Sequence, residues 1–222
     1  MTIDDVVAST ADLVARTPDG HPVEVDVDDL VLRIAARVAT GELVARRHPV
    51  GFLHVDVSAL GGAPHEVEFR LHLWDRLEPR SDGLGNLHDH GWSMTSAVLI
   101  GELEESTFTA AKLPGSDVAF VRVTYTAEGN DFSQEGDYTI TEVYQRRVPA
   151  PLAYRLGPRI LHMSTIVKSP TITFVVADRR TVGSYRPLVM VEEQEAPTRV
   201  GLRPVISPHD AAEMLRAAIG RK

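Results

Sequence analysis

Along the first forty-odd residues, apolar side chains recur at helical spacing. Ile3, Val6, Val7, Leu13 and Val14 share a stripe, the period of an amphipathic helix. Thr2 precedes them, with Asp5 three places on as a capping-box partner. A second helix is predicted from about Asp28 to Thr40. There Leu30, Ile34 and Val38 fall on one stripe, acids lead, Arg33 and Arg37 trail, and Gly41 ends the run. From about Pro49 the period changes to two. Phe52–Val57 alternates, and Val67, Phe69, Leu71 and Leu73 alternate with Glu68, Arg70, His72 and Trp74. Further strands are predicted over Met94–Leu103, Ala119–Thr126, Tyr138–Val148, Leu152–Leu156, Ile160–Val167, Thr171–Ala177 and Tyr185–Val191. Turn-forming clusters at Arg80–Gly85, Pro114–Asp117 and Ala127–Asp137 separate these runs. Eight or nine short strands with no helix among them predict an all-β sandwich or barrel. After Glu192 the chain turns polar, and a last helix is predicted behind Ser207 as N-cap, Pro208 at the first position and Asp210, over Ala211–Ile219. The expected organisation is a helical extension at 1–47, a β-barrel at 48–192, and a tail with a helix at 193–222.

Composition narrows the chemistry. The chain has 222 residues, enough for a proper core in one domain with appendages. A net charge of −8 argues against a nucleic-acid partner, which would select a basic face. Yet 20 of the 23 basic residues are arginines, so a local positive pocket is allowed. The cysteine count is zero, which excludes disulfides, thiolate zinc sites, Fe–S clusters and a cysteine nucleophile. Any metal must therefore sit on His, Asp or Glu, and there are nine histidines. Asp4 and Asp5 interrupt the first apolar run, and stretches such as Ala97–Ile100 are far too short for a membrane span. A cytoplasmic protein with no membrane partner is expected.

The informative segment is Gly83-Leu-Gly-Asn-Leu-His88-Asp-His90-Gly-Trp92. Two histidines at i and i+2 on a strand point to one face and can share a metal ion. Gly101 follows eleven residues after His90, and His162 stands near the start of a late strand, behind the Gly157-Pro158 turn.

In these residues the sequence resembles the cupin superfamily, the double-stranded β-helix jelly roll. The resemblance covers roughly residues 50–190 and implies an all-β jelly-roll barrel, here with N-terminal helices and a C-terminal helix. It also implies that His88, His90 and His162 are the ligand histidines and Gly101 the closing glycine of the first motif. The acid of that motif falls at Met94 or Thr95, so the usual carboxylate ligand is missing. The second motif reads Gly157-Pro158-Arg159, with Ile166 where an Asn is common. A three-histidine site with HDH in the first motif is similar to the cysteine dioxygenase group of thiol dioxygenases. That likeness implies Fe(II), a small substrate on the metal, and an arginine holding the substrate carboxylate. Strand exchange in the superfamily implies a homodimer.

Three neutral imidazoles leave a divalent metal its full charge and open positions, which suits an anionic ligand. Arg70 is the first choice for a carboxylate clamp if its strand face lines the barrel; the alternative is an outward polar face. Arg159, Arg179 and Arg180 are further anion anchors. Trp92 either walls the pocket or covers the barrel mouth, and Tyr154 either offers a phenol to the site or packs in the core. The Glu102–Glu105 run reads as a solvated strand end, with Glu102 a ligand only if a bulge re-aims it. The leading expectation is an Fe(II) oxygenase acting on a small carboxylate- or thiol-bearing substrate. A redox-inert isomerase, lyase or decarboxylase on Zn, Mn or Ni lacks a visible general base beside the HxH. A binding protein without catalysis is the third class.

Overall fold

The computed structural model describes residues 1–75, 84–116, 118–180, 184–191 and 198–221. Gly83 and most of the Arg80–Gly85 cluster lie outside the described residues. Three helices and eleven strands make up the described part. Helix α1 (Ile3–Arg16) starts at the predicted capping box: the Asp5 N–H donates to Thr2 Oγ1 at 3.2 Å, and the Thr2 N–H donates to Asp5 Oδ2 at 2.7 Å. Helix α2 (Val27–Ala39) is capped by Asp26 and buries Leu30, Ile34 and Val38. Helix α3 (Pro208–Ile219) begins behind Ser207, whose hydroxyl accepts the Asp210 N–H at 3.1 Å. No helix among the described residues is long and apolar enough to cross a membrane.

The strands are β1 (Ala45–Arg47), β2 (Leu53–Asp56), β3 (Val67–Trp74), β4 (Leu84–His88), β5 (Ser93–Lys112), β6 (Val118–Thr126), β7 (Gly129–Pro149), β8 (Ala153–Leu156), β9 (Leu161–Asp178), β10 (Leu188–Val191) and β11 (Arg199–Gly201). Every pairing is antiparallel. The ladder runs from β9 through β4, β10, β6, β7 and β5 and returns to β9, which closes the barrel. The second half of β9 also carries β3, β2 and β1 as an extension. This is the all-β jelly-roll barrel with helices at both ends that the sequence predicts.

Several boundaries differ from expectation: β5 runs on to Lys112, past the predicted end at Leu103, and β10 begins at Leu188 rather than Tyr185. Ala127–Asp137 is not a separator, because β7 begins at Gly129 and pairs β6 along its length. The two runs on either side of Pro170 form one strand, β9. Both long strands survive because they bend together at a bulge. Gly101 takes φ +78°, the Thr171 hydroxyl accepts the Glu102 N–H at 3.0 Å, and the β5–β9 register shifts there. A bulge absorbs the proline's missing N–H and turns the strands from one sheet into the next.

A Cβ on Gly101 would lie 2.2 Å from Thr171 Oγ1 and 2.4 Å from the Pro170 carbonyl. Adding the left-handed backbone penalty, Gly101→Ala is expected to cost about 2–3 kcal/mol. Chemical denaturation reads this directly, and an unchanged midpoint would contradict the bulge.

The helices explain why β3 has no solvent face. Phe69, Leu71 and Leu73 pack with Val7, Leu30, Ile34 and Leu215 in one apolar cluster. The opposite row, Arg70, His72 and Trp74, therefore points into the barrel and lines its cavity. The alternative of an outward polar face is excluded, since both rows are covered.

Candidate metal centre

His88 ends β4 and stands directly opposite His162 at the start of β9, so one rung of the ladder sets two imidazoles side by side. His90 follows in the short connection before β5. The HxH thus closes one strand and leaves it, rather than lying wholly on a strand. Alternation still holds across the gap because Asp89 is pinned the other way. The Asp89 N–H donates to the Leu188 carbonyl at 3.0 Å, and its carboxylate accepts the Leu188 N–H at 2.8 Å and the Tyr185 hydroxyl. The His90 carbonyl takes the Arg159 N–H at 2.6 Å, a contact that Arg159 reaches with φ +62°.

The three rings converge. Their centroids are 4.8 Å apart for His88 and His90, 4.6 Å for His88 and His162, and 4.8 Å for His90 and His162. One ligand nitrogen from each lies within 4.8 Å of the others. His88 Nδ1 is 2.7 Å from the Asn86 carbonyl, and His162 Nδ1 is 3.0 Å from the Ile160 carbonyl. A carbonyl only accepts, so each Nδ1 carries the proton and each Nε2 is left with a lone pair. His88 Nε2 and His90 Nε2 face each other at 3.1 Å.

Burial keeps these rings neutral. It drives His162 down to about 3, aided by the neighbouring His88, and it holds His90 well below the ordinary histidine range. His88 is lowered by burial too, against a raising contribution from the Asn86 carbonyl. Three desolvated, uncharged imidazoles with their Nε2 atoms gathered together fit a divalent transition metal. Met94 lines the same chamber where an acid would complete the usual set, and Glu102 is instead 3.9 Å from Arg147.

The predicted neighbours are all present, in different roles. Trp92 is buried and stacks on His90 with centroids 4.6 Å apart and planes at 12°, fixing that ring. Arg179 and Arg70 lie over Trp92 at 4.8 and 5.5 Å. Arg70 reaches the cavity, but its Nε and Nη2 both donate to Glu68, so its fork is already engaged. Tyr154 is both a cavity wall and a member of an apolar cluster with Phe52 and Trp74. Arg159 stacks over Tyr185 at 4.7 Å, and Arg180 pairs with Asp178 on the exposed side.

Three groups of residues escaped the sequence reading. The inner chamber is lined by six of the nine histidines, because His48, His54 and His72 join the triad. His54 and His72 are cross-strand partners, a pairing that needs the β2–β3 register. Burial holds all three well below the ordinary histidine range. His72 Nε2 has no hydrogen-bond partner among the described residues. The second omission is Glu105, which is fully buried rather than solvated. It accepts the Ser164 hydroxyl, and burial raises its carboxyl to about 8. Ser164 and Tyr154 both line the chamber, and Glu105 helps to raise the Tyr154 phenol. The third is a pair of arginines at the mouth, Arg46 and Arg203.

No protein-family profile matches the chain, and no curated protein does. Several solved structures resemble it weakly. DMSP lyase DddQ from Ruegeria pomeroyi DSS-3 is 15% identical with a TM-score of 0.40, over 80% of this chain and 74% of that one. Hydroxypropylphosphonic acid epoxidase from S. wedmorenis is 9% identical with a TM-score of 0.34, over 62% of this chain. Lactobacillus farciminis oxalate decarboxylase is 14% identical, also with a TM-score of 0.34 and over 62% of this chain. The chain spans 56% of the epoxidase and 31% of the decarboxylase.

Proposed function

We propose that this chain is a mononuclear metal-dependent enzyme, an Fe(II) oxygenase acting on a small anionic substrate. The carrying observation is the donor set: three neutral imidazoles, His162 buried and His88 and His90 half-buried, converge with no carboxylate among them in the described residues. His88, His90 and His162 would hold the metal. Bound there, a divalent ion supplies Lewis acidity and, as iron, the means to activate O₂.

The chain's own residues do the rest. The carbonyls of Asn86 and Ile160 hold the Nδ1 protons and so keep His88 and His162 aimed. Trp92 stiffens His90 from the other side. Phe52, Trp74, Val50 and Met94 make the chamber wall apolar and limit water. The chamber is small, about 60 Å³, whereas the mouth above it is about 390 Å³. Only the reacting end of a substrate fits inside, and the remainder lies in the mouth. His72 Nε2, unpartnered in the wall, offers a hydrogen bond to that reacting end.

One observation favours a second reading. A general base was missing from the sequence, yet Glu105 and Tyr154 stand buried beside the chamber. They would serve a redox-inert lyase or isomerase equally well.

Anaerobic purification with quantitation of Fe, Zn, Mn and Ni, followed by O₂ uptake with a panel of thiols and small acids, separates the two. The oxygenase reading expects close to one iron per chain and substrate-triggered O₂ consumption. A stoichiometric redox-inert metal with no uptake would transfer the site to the lyase or isomerase class.

A further inference from the structure

The mouth of the barrel concentrates positive charge in an acidic protein. Four guanidinium groups line it, Arg46, Arg70, Arg179 and Arg203, against two carboxylates, Asp56 and Glu68. With neutral histidines the mouth therefore carries two positive charges in excess, on a chain of net charge −8.

The carboxylates are committed elsewhere. Glu68 is shared, with one oxygen on Arg70 and the other 2.8 Å from Arg179 Nη1. Asp56 accepts the Ser58 N–H and hydroxyl at 2.9 and 2.6 Å. Among the described residues the Arg46 side chain donates only to the Arg203 carbonyl, at 3.1 Å, and the Arg203 guanidinium has no hydrogen bond or ion pair. Burial and the nearby Arg70 depress Arg203 to about 10. A cation desolvated among like charges is costly unless an anion joins it.

The fold holds these two arginines in place deliberately. Residues 199–206 cross the mouth as a strap. Strand β11 pairs with β7 at Gly129–Asp131, and the Ile206 and Arg47 N–H groups bond the Ala45 and Pro204 carbonyls at 3.0 and 2.9 Å. A Cβ on Gly129 would sit 2.3 Å from the Val200 carbonyl, so the strap lies as close as backbone allows.

We propose that Arg203 and Arg46 form a subsite for a doubly charged oxyanion, carried by the substrate at the end remote from the metal. This rests on the metal-enzyme reading above and narrows its substrate to a molecule with a dianionic tail. The tail is either a phosphoryl-type group or a pair of carboxylates. A single carboxylate leaves one positive charge uncompensated. Guanidinium forks match planar and tetrahedral oxyanions alike, so charge is the discriminating property.

Titration calorimetry of the purified full-length protein at pH 8 and low ionic strength tests this, with inorganic phosphate, malonate and acetate as probes. Phosphate or malonate is expected to bind at least ~10-fold tighter than acetate, and their order tells which of the two tails fits. Arg203→Gln and Arg46→Gln should each weaken that binding by at least ~10-fold. Arg16→Gln, exposed on α1, should leave it unchanged. Should Arg203→Gln fail to fold, Arg46→Gln carries the test alone. Absence of saturable binding, acetate binding as tightly, or folded arginine variants that bind like the parent would overturn the proposal. Metal content is measured on the same samples. Lost anion binding with a full metal complement defeats this inference alone, and anion binding without any metal defeats the metal reading alone.

Discussion

His88→Ala is expected to purify without the metal proposed for this site and to lose turnover by about 10³-fold or more, while remaining folded. The imidazole it removes faces His162 across one rung of the ladder and His90 at 3.1 Å between Nε2 atoms. Two histidines remain, on one strand start and one connecting loop, and no carboxylate among the described residues joins the cluster. Losing one of three neutral donors therefore removes a large share of the binding energy rather than trimming it. Losing a group that only hydrogen-bonds a ligand typically costs about 10–100-fold in metal affinity, and losing a ligand itself costs more. Without the metal, several kcal/mol of charge stabilisation disappear, which is the size of the expected rate loss. The ring is half-buried and uncharged, so alanine leaves a small void but no stranded charge. His209→Ala is the control, since that side chain is 85% exposed on α3. Metal analysis and circular dichroism on both variants check the result. A His88→Ala protein that keeps a full equivalent of metal would remove the triad from the mechanism.

What the sequence revealed about this site follows from local patterning. The period-two runs locate the strands, and HxH spacing puts His88 and His90 on one side because alternation continues through Asp89. Helix caps are legible for the same reason: Thr2 with Asp5, and Ser207 with Asp210, act within three residues. Long-range register is another matter. His54 meets His72 only because β2 pairs β3, and Arg203 reaches the mouth only because β11 adds to β7. The merged strand β9 shows how a local rule can mislead. Pro170 reads as a break, yet Gly101 on the partner strand supplies the bulge that accommodates it. Arg70 illustrates a subtler limit. The sequence left its face open between the barrel interior and an outward polar side, and only the helices packed on Phe69, Leu71 and Leu73 decide it.

Glu105 is the clearest case of polarity misread from sequence, and it makes the second large prediction. Within Glu102-Leu-Glu-Glu105 every acid reads as exposed, because runs of charge usually face water. Instead Glu105 pairs in register with Ser164, turns inward and has no accessible surface, and its Oε1 lacks a partner among the described residues. Burial outweighs the Ser164 hydrogen bond and the Arg146 charge, raising the carboxyl from 4.5 to about 8. The consequence for stability has a definite sign. Below pH 4.5 the group is protonated in both folded and unfolded chains and imposes no penalty. Between pH 4.5 and 8 the unfolded chain releases its proton while the folded one retains it, so stability falls as pH rises. At pH 9 the accumulated cost is on the order of 3–5 kcal/mol. Glu105→Gln keeps the shape and an acceptor for Ser164 but cannot ionise. It should therefore abolish this slope and be more stable than the parent at pH 9 by an amount of that order. Urea unfolding of both proteins at pH 5, 7 and 9 measures it, and parallel pH dependences would show that Glu105 is ionised when folded. If Glu105 also serves the chamber through Ser164 and Tyr154, the same substitution will flatten the pH profile of turnover while leaving metal content intact. A purely structural carboxyl would change the unfolding curves alone.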